Sequence, residues 1–288
     1  MERYFQLSFS YLCDRIDKTA IGGFAMLSFG MPTLIETKTV REMAALCGEL
    51  GLSFMELNTN FPLHQPHLLG AEELNALAEK YGITYTIHLN DEMPVAEFSP
   101  SVAEGYRQAV LQAIELAKRI GAKKLNMHLA EGAHYTMPDK IIYFYDAYLQ
   151  DYLRGMAQFR DVCEEAIGDS GIMICMENVT GFRDFQLAAL EILLQSPAFG
   201  LTLDIGHNYC THSADEKWIL DHADRLHHMH MHDAKDGKKD HQALGAGEID
   251  IPRFVELAQK HNCTVVLETK TVSGLRDSVE WIRKNGLL

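Results

Sequence analysis

The sequence predicts an α/β fold, a single (β/α)8 TIM barrel over residues 1–288, on three observations. The chain has 288 residues, close to the length of one such barrel and too long for a small stapled domain. Short β-branched or apolar runs alternate along it with longer stretches of helical period. Several of those stretches stop at a glycine that leads into the next apolar run, as in GELGLSFMEL, AEKYGITYTIHL and AKRIGAKKLNMHL. Glycine takes the left-handed conformation that ends a helix without steric cost.

In chain order, the first strand is expected near Phe5–Phe9 or, alternatively, Ala25–Phe29. The others are expected at Phe54–Asn58, Thr84–His88, Lys124–His128, Ile172–Glu177, Leu201–Asp204, His228–His232 and Val265–Glu268. Helices are expected over Val40–Leu50, Ala71–Tyr81, Val102–Ile120, Tyr143–Ile167, Phe185–Leu194, Pro252–His261 and Asp277–Lys284. Tyr11–Glu36 has no clear period and reads as a long first loop over one end of the barrel. No Pro/Ser-rich linker or low-complexity run divides the chain, so one domain is expected.

Composition bounds the partners. Hydrophobic residues make up 47% of the chain and charged residues 23%, ordinary for a globular protein with a large core. A formal net charge of −14 disfavours general attraction to nucleic acid or anionic lipid, although a local metal cluster or basic patch outweighs global charge. The six cysteines form no CxxC pair and sit in apolar segments, so they read as reduced core residues. In MERYFQLSFSYLCDRIDK charges interrupt the apolar runs, which fits neither a signal peptide nor a membrane span; a cytoplasmic protein is expected.

Six of the strands end in the same class of residue: His88, His128, Glu177, Asp204, His230 and Glu268. The C-terminal ends of barrel strands converge on one mouth, and side chains alternate faces along a strand. If each closing polar residue turns inward, six metal-ligand types meet. His207 and His241 lie just beyond strand ends. Crowded carboxylates repel one another unless a cation neutralises them. Imidazole and carboxylate suit Zn²⁺ or Mn²⁺, and a mainly carboxylate subset also accepts Mg²⁺, so a divalent metal of one to three ions is the expected cofactor. A lone His or Glu at a strand end is usually a hydrogen-bonded or ion-paired barrel residue. The repetition across six strands is what favours the metal.

The motif series IHLN, MHLAEG, MENVTG, LDIGH, HMHDAK…HQALGAGEID and LETK runs in order across Thr86–Lys270. It resembles the xylose isomerase-like barrel superfamily, which includes sugar and sugar-phosphate isomerases and epimerases and the apurinic-site endonucleases of the endonuclease IV type. For the isomerase branch, the resemblance implies one divalent metal on Glu177, Asp204, His230 and Glu268. For the endonuclease branch it implies three zinc ions, with His88, His128, His207 and His241 added. That branch also carries an aspartate two residues before the last histidine. Here Lys239 stands at that position, and Asp240 is shifted by one. The segment Asn90–Pro94 is acidic and lacks an aromatic wedge for DNA.

The expected function is a divalent-metal-dependent isomerase or epimerase of a small sugar, ketose or sugar phosphate. Glu177 and Glu268 are the expected catalytic pair, one removing a proton next to a carbonyl and the other returning it. Part of that role assignment follows from the resemblance. His207, His241, Glu56 and Lys235 are expected substrate contacts, with Asn58 also able to reach the mouth. A zinc-dependent apurinic-site endonuclease and a non-catalytic metal or sugar binder stay open. Nucleic acid and membrane are not expected partners, and the chain is compatible with a homo-oligomer.

Blander readings cover the rest. His227, His228 and His232 read as barrel filling or helix-layer residues, with His232 the substitute should the register differ. His64, His67, His134, His212, His222 and His261 read as surface residues. Lys235, Lys238 and Lys239 form a short basic run near the mouth, more commonly a solvated loop than a phosphate site. Asn178 is placed to orient Glu177, and the aromatic run Tyr143–Tyr152 reads as core or subunit contact.

Overall fold

Alternation along the strands sorts the side chains into two layers, and the barrel forms between them. The computed structural model describes residues 27–288. Its eight parallel strands are β1 (Ser28–Met31), β2 (Phe54–Asn58), β3 (Thr84–His88), β4 (Lys124–His128), β7 (Met173–Glu177), β8 (Phe199–Asp204), β9 (Leu226–Met231) and β12 (Thr264–Leu267). They close in the order β1-β2-β3-β4-β7-β8-β9-β12, with β12 pairing back to β1. Met55, Leu57, Tyr85, Ile87, Leu125, Met127, Ile174 and Met176 belong to the main apolar cluster, packed with helix residues such as Leu74, Ile114, Phe159 and Leu190. The alternate positions, Glu56, Thr86, Asn126 and Thr202, are buried and polar and bond in two pairs inside the barrel, Thr86 to Glu56 and Thr202 to Asn126.

The outer ring is α1 (Val40–Glu49), α2 (Ala71–Tyr81), α3 (Pro100–Ile120), α5 (Leu149–Ile167), α6 (Asp184–Leu193), α9 (Ile251–His261) and α10 (Val272–Lys284). The glycine stops behave as expected: Gly51, Gly82 and Gly121 take φ of 70°, 66° and 72°, the left-handed region that costs other residues energy. The expected helix over 143–167 is broken. A short α4 (Phe144–Ala147) precedes α5, and Tyr148 between them has φ −119° and ψ 45°. Tyr145 and Tyr152 stack in the core at 4.3 Å, as the core reading of that run requires.

One expected strand, Phe5–Phe9, lies outside the described residues. Its alternative overlaps the observed β1, so the expected loop over Tyr11–Glu36 is corrected where it is described: Ser28–Met31 is a barrel strand paired with β2 and β12. Gly30 is needed there, since a Cβ would fall 2.4 Å from the Phe54 ring that fills the barrel.

Elements the sequence did not suggest cluster at the mouth. They are the helix α7 (Ile205–Cys210) and two antiparallel hairpins, β5–β6 (His134–Thr136, Ile141–Tyr143) and β10–β11 (Asp233–Lys235, Lys239–Gln242). A further unexpected helix, α8 (Glu216–Asp221), packs on β8 on the way to β9. Asp233 holds the last hairpin and the loop beyond it. Its carboxylate accepts backbone N–H groups from Ala234, Gly245, Gly247 and Ile249 at 2.9, 3.0, 2.8 and 3.1 Å. Four buried cysteines, Cys47, Cys163, Cys175 and Cys263, are free thiols. No described helix is long and apolar enough to cross a membrane.

Candidate metal centre

The strand ends bring four donors to one point. Glu177 closes β7, Asp204 closes β8, His230 is the penultimate residue of β9, and Glu268 follows β12 directly. One ligand atom from each lies within 4.8 Å of the others. His230 Nδ1 stands 2.9 Å from Glu268 Oε2, 3.2 Å from Glu177 Oε1 and 3.9 Å from Asp204 Oδ2. Yet Glu177 Oε1, His230 Nδ1 and Glu268 Oε2 are buried without a hydrogen bond. These atoms aim at a shared centre, not at each other. Donors about 2.1 Å from a tetrahedral cation are about 3.4 Å apart, so the spacing fits a divalent ion. Buried polar atoms left without a partner are costly, and such a cation would remove that cost.

A second group shares Glu177. Its Oε2 lies 3.1 Å from His128 Nε2 and 3.5 Å from His88 Nε2. His88 Nδ1 faces the Leu89 carbonyl at 2.7 Å. A carbonyl only accepts, so in the neutral ring the proton sits on Nδ1 and the Nε2 lone pair points at a carboxylate. Two acceptors in that position again suit a cation between them. Asn126 Nδ2 donates to the same Glu177 oxygen, and Thr202 Oγ1 donates to Asn126 Oδ1 at 2.6 Å, fixing the amide.

A third group comprises His207, His232 and His241. His207 begins as a consequence of Asp204. The Asp204 Oδ1 accepts the His207 N–H at 2.6 Å and caps α7, as an aspartate at a helix start does. His207 Nδ1 then reaches the Asn178 carbonyl at 3.2 Å. His241 Nδ1 meets Asp240 Oδ1 at 2.9 Å, and its Nε2 is 3.6 Å from Glu268 Oε1.

Charge balance keeps the cluster ionised. Burial raises Glu177 and Glu268, but His230 foremost, with His128 and His207 beside Glu177 and His241 and Lys270 beside Glu268, holds both well below the usual carboxylate range. Burial pushes the histidines down, and the carboxylates outweigh it. His88 is lifted to about 9 by Glu177 and Glu56. His207 is lifted to about 10 by Asp204, Glu177 and Glu268. His230 is lifted well above its ordinary value by Glu177, Glu268 and Glu56.

All eight histidines and acids expected at the mouth lie in these groups. Of the four expected substrate contacts, His207 and His241 sit at the mouth. Glu56 lies lower, 2% exposed. Its Oε1 is 3.1 Å from His230 Nε2, and its Oε2 is 3.2 Å from His228 Nε2 and 2.8 Å from Thr86 Oγ1. His228, held down to about 4 by burial despite Glu56, also meets Thr264 at 2.6 Å. Lys235 is on the β10–β11 hairpin and in none of the clusters. The mouth lysine is Lys270, whose Nζ lies 2.7 Å from Glu268 Oε1. Asn178 does not bond Glu177; its side chain brackets the Asp204 backbone, at 2.9 and 3.0 Å. His64, expected at the surface, is buried.

Asp91 was missed. It stands 3.8 Å from Nδ1 of both His88 and His128, and the acid following IHLN was its signal in the sequence. Two openings adjoin the groups. One of about 150 Å³ touches Glu56, Asn58, His88, Glu268 and Lys270. The other, about 520 Å³, lies beside His128 and is lined by Asp91, Glu92, Glu97 and Glu131.

Comparison with known proteins is consistent with this architecture. The profile of the family described as xylose isomerase-like TIM barrel matches residues 44–285. A protein of Methanocaldococcus jannaschii described as uncharacterized is 23% identical over 202 residues, covering 68% of this chain and 74% of that one. Among solved structures, a D-tagatose 3-epimerase-like protein superposes with TM-score 0.73 at 19% identity, over 90% of this chain and 96% of its own. The IolI protein with a binding zinc atom superposes with TM-score 0.66 at 14% identity, over 91% of this chain and 97% of its own. At these identities the structural likeness bears on the fold.

Proposed function

The chain belongs to the xylose isomerase-like TIM barrel family, and on that premise we propose that it is a divalent-metal-dependent isomerase or epimerase of a small sugar. The observation that carries this reading is the convergence of Glu177, Asp204, His230 and Glu268 on one centre with orphaned donor atoms. These four would hold the ion. Bound there, a divalent cation would supply Lewis-acid stabilisation of negative charge on the oxygens beside the carbon that loses its proton. Glu177 and Glu268 come from strands three apart around the barrel. Both are kept ionised by the neighbouring histidines, so either can act as the base on its side of a substrate carbon, and the other, once it has taken a proton from solvent, can return one from the opposite side. His207 and His241 would bind substrate hydroxyls. Lys270 neutralises Glu268 from the solvent side. The similarity to a D-tagatose 3-epimerase-like protein and to a zinc-bound barrel supports both the reaction class and the cofactor.

The test is a panel of free and phosphorylated ketoses in D₂O with Zn²⁺, Mn²⁺ or Mg²⁺. A turned-over substrate should gain one deuterium at the inverted or isomerised carbon, and Glu268→Gln should abolish that uptake. Turnover unchanged in Glu268→Gln would refute the catalytic assignment.

One observation favours a second reading, a zinc phosphodiesterase of the apurinic-site endonuclease kind. His88, His128 and Glu177 form a further ligand group, which a one-ion epimerase does not need. Two ions flanking Glu177 would suit in-line attack on a phosphate. Against it stands the opening beside His128, whose Asp91, Glu92, Glu97 and Glu131 repel a phosphate backbone. Elemental analysis separates the two: close to three zinc ions per chain with cleavage of an abasic oligonucleotide supports the phosphodiesterase, and about one ion supports the epimerase.

A further inference from the structure

His232 has no role in the reaction outlined above, yet its ring is fully buried at the mouth. Its Nδ1 lies 2.7 Å from the backbone N–H of His241. A backbone N–H can only donate, so Nδ1 presents its lone pair and the neutral ring carries its proton on Nε2. That nitrogen is 3.0 Å from Asp204 Oδ2. The ring is also gripped on its faces. The His241 imidazole stacks on it at 4.2 Å with a 7° tilt. Gly206 lies against its edge, where a Cβ would come 1.9 Å from His232 Cε1. Gly206 is not among the residues at positive φ, so a glycine is required there for space alone.

His232 also falls in the three-histidine group with His207 and His241. A metal ligand must offer a free lone pair. In His232 the Nδ1 lone pair is taken by the His241 amide, and Nε2 carries the proton. We propose that His232 is not a ligand but a positioning residue: it donates to Asp204 Oδ2 and ties that carboxylate to the β10–β11 hairpin. Asp204 is thereby held at both oxygens, Oδ1 by the His207 amide and Oδ2 by His232. One of its oxygens lies within 4.8 Å of the ligand atoms of Glu177, His230 and Glu268. The inference rests on the reading that these four residues hold a divalent cation. Partners that orient a ligating carboxylate typically set metal affinity by 10–100-fold.

The experiment compares wild type with His232→Phe, His232→Gln and Gly206→Ala. Zn²⁺ number and affinity are measured by chelator competition, and the tautomers of the metal-free wild type by ¹⁵N imidazole NMR. His232 should be neutral with its proton on Nε2. His232→Phe should keep the wild-type number of ions and weaken one of them by about 10–100-fold. His232→Gln, which retains an N–H donor, should recover part of that loss, and Gly206→Ala, which displaces the ring, should reproduce it. Loss of one ion with the rest unchanged would make His232 a ligand and overturn the proposal, as would unchanged affinity or a proton on Nδ1. Should His232→Phe not fold, the wild-type tautomer and Gly206→Ala still decide. A wild-type chain that binds no divalent cation, with the Nε2 tautomer intact, would defeat the metal reading and leave the His232–Asp204 hydrogen bond standing.

Discussion

Raising the pH from 6.5 to 9.5 should destabilise the metal-free protein and tighten its grip on a divalent cation. The first trend comes from His88 and His207, with the buried thiols Cys47, Cys163, Cys175 and Cys263, pushed up to about 12, adding to it above about pH 8.5. The second comes from His230. His88 is lifted to about 9 and His207 to about 10 by the carboxylates around them, against about 6.5 in the unfolded chain. A folded-state pKa above the unfolded one means that folding favours the protonated ring. The stabilisation is therefore full below pH 6.5 and is lost as pH climbs through the folded value. One pKa unit corresponds to 1.36 kcal/mol, so His88 alone is worth about 3 kcal/mol and His207 somewhat more. The two share Glu177, so their contributions are not additive, and a loss of about 3 kcal/mol over the window is the expected minimum. At roughly 2–4 °C per kcal/mol for a chain of this size, the melting temperature should fall on the order of 10 °C. The depressed carboxylates add no slope here, because their contribution is already complete above pH 5.

Metal reverses the sign. A ligating imidazole must be neutral, so an ion entering at His230, which is held well above its ordinary pKa, has to expel a proton. Apparent affinity should then rise about tenfold per pH unit near pH 7, with about one proton released per ion. Calorimetric titration with Zn²⁺ in two buffers of different ionisation enthalpy counts that proton, and melting of the chelator-treated protein follows the first trend. A melting temperature that is flat or rising from pH 6.5 to 9.5, or an ion bound without proton release, would refute the charge balance described for the cluster.

Other outcomes follow from single contacts. Glu56→Gln removes the charge 3.1 Å behind His230 Nε2 and should weaken metal binding by about 10–100-fold while the fold persists; unchanged affinity in chelator competition would show that Glu56 does not orient His230. Asp233→Ala leaves four backbone donors of the hairpin loop without their acceptor and should cost at least about 3 kcal/mol in urea unfolding. Phe159, fully buried and edge-on to Phe199 at 5.8 Å, should cost about 3–5 kcal/mol as Phe159→Ala without changing metal stoichiometry.

The strands that the sequence places correctly share one property: a glycine stop before them and a polar residue at their end. β2, β3 and β4 match the expectation at both ends because Gly51, Gly82 and Gly121 end the preceding helices and leave little room for a shifted register. β1 lacks such a stop within the described residues, and the apolar runs at Phe5–Phe9 and Ala25–Phe29 looked alike. The mouth elements escaped for a different reason. α7 is six residues long, too short to show a helical period, and depends on one cap at Asp204. The β10–β11 hairpin is polar on both strands, and its signal was the Asp236–Gly237 pair, both at positive φ (56° and 66°), as a tight hairpin turn requires.

The same contrast explains which site residues could be read. A rule based on the last inward side chain finds the ring of ligand types, because that position is fixed by sequence within each strand. It says nothing of how high each strand stands against its neighbour. Asn58 is level with His88, and His88 with Asn126, whereas His128 is level with Glu177. The stagger between β3 and β4 lowers Asn126 beneath the cluster and raises His128 into it. It also leaves Glu56, one inward position below Asn58, 3.1 Å from His230 Nε2. Stagger is a property of the closed sheet, set by packing around the whole barrel. Residues that contact these donors, such as Glu56, Asn126 and His232, depend on that stagger and on the hairpin's return path. The donor types are therefore visible strand by strand, and the groups that contact them become visible only when the strands are joined.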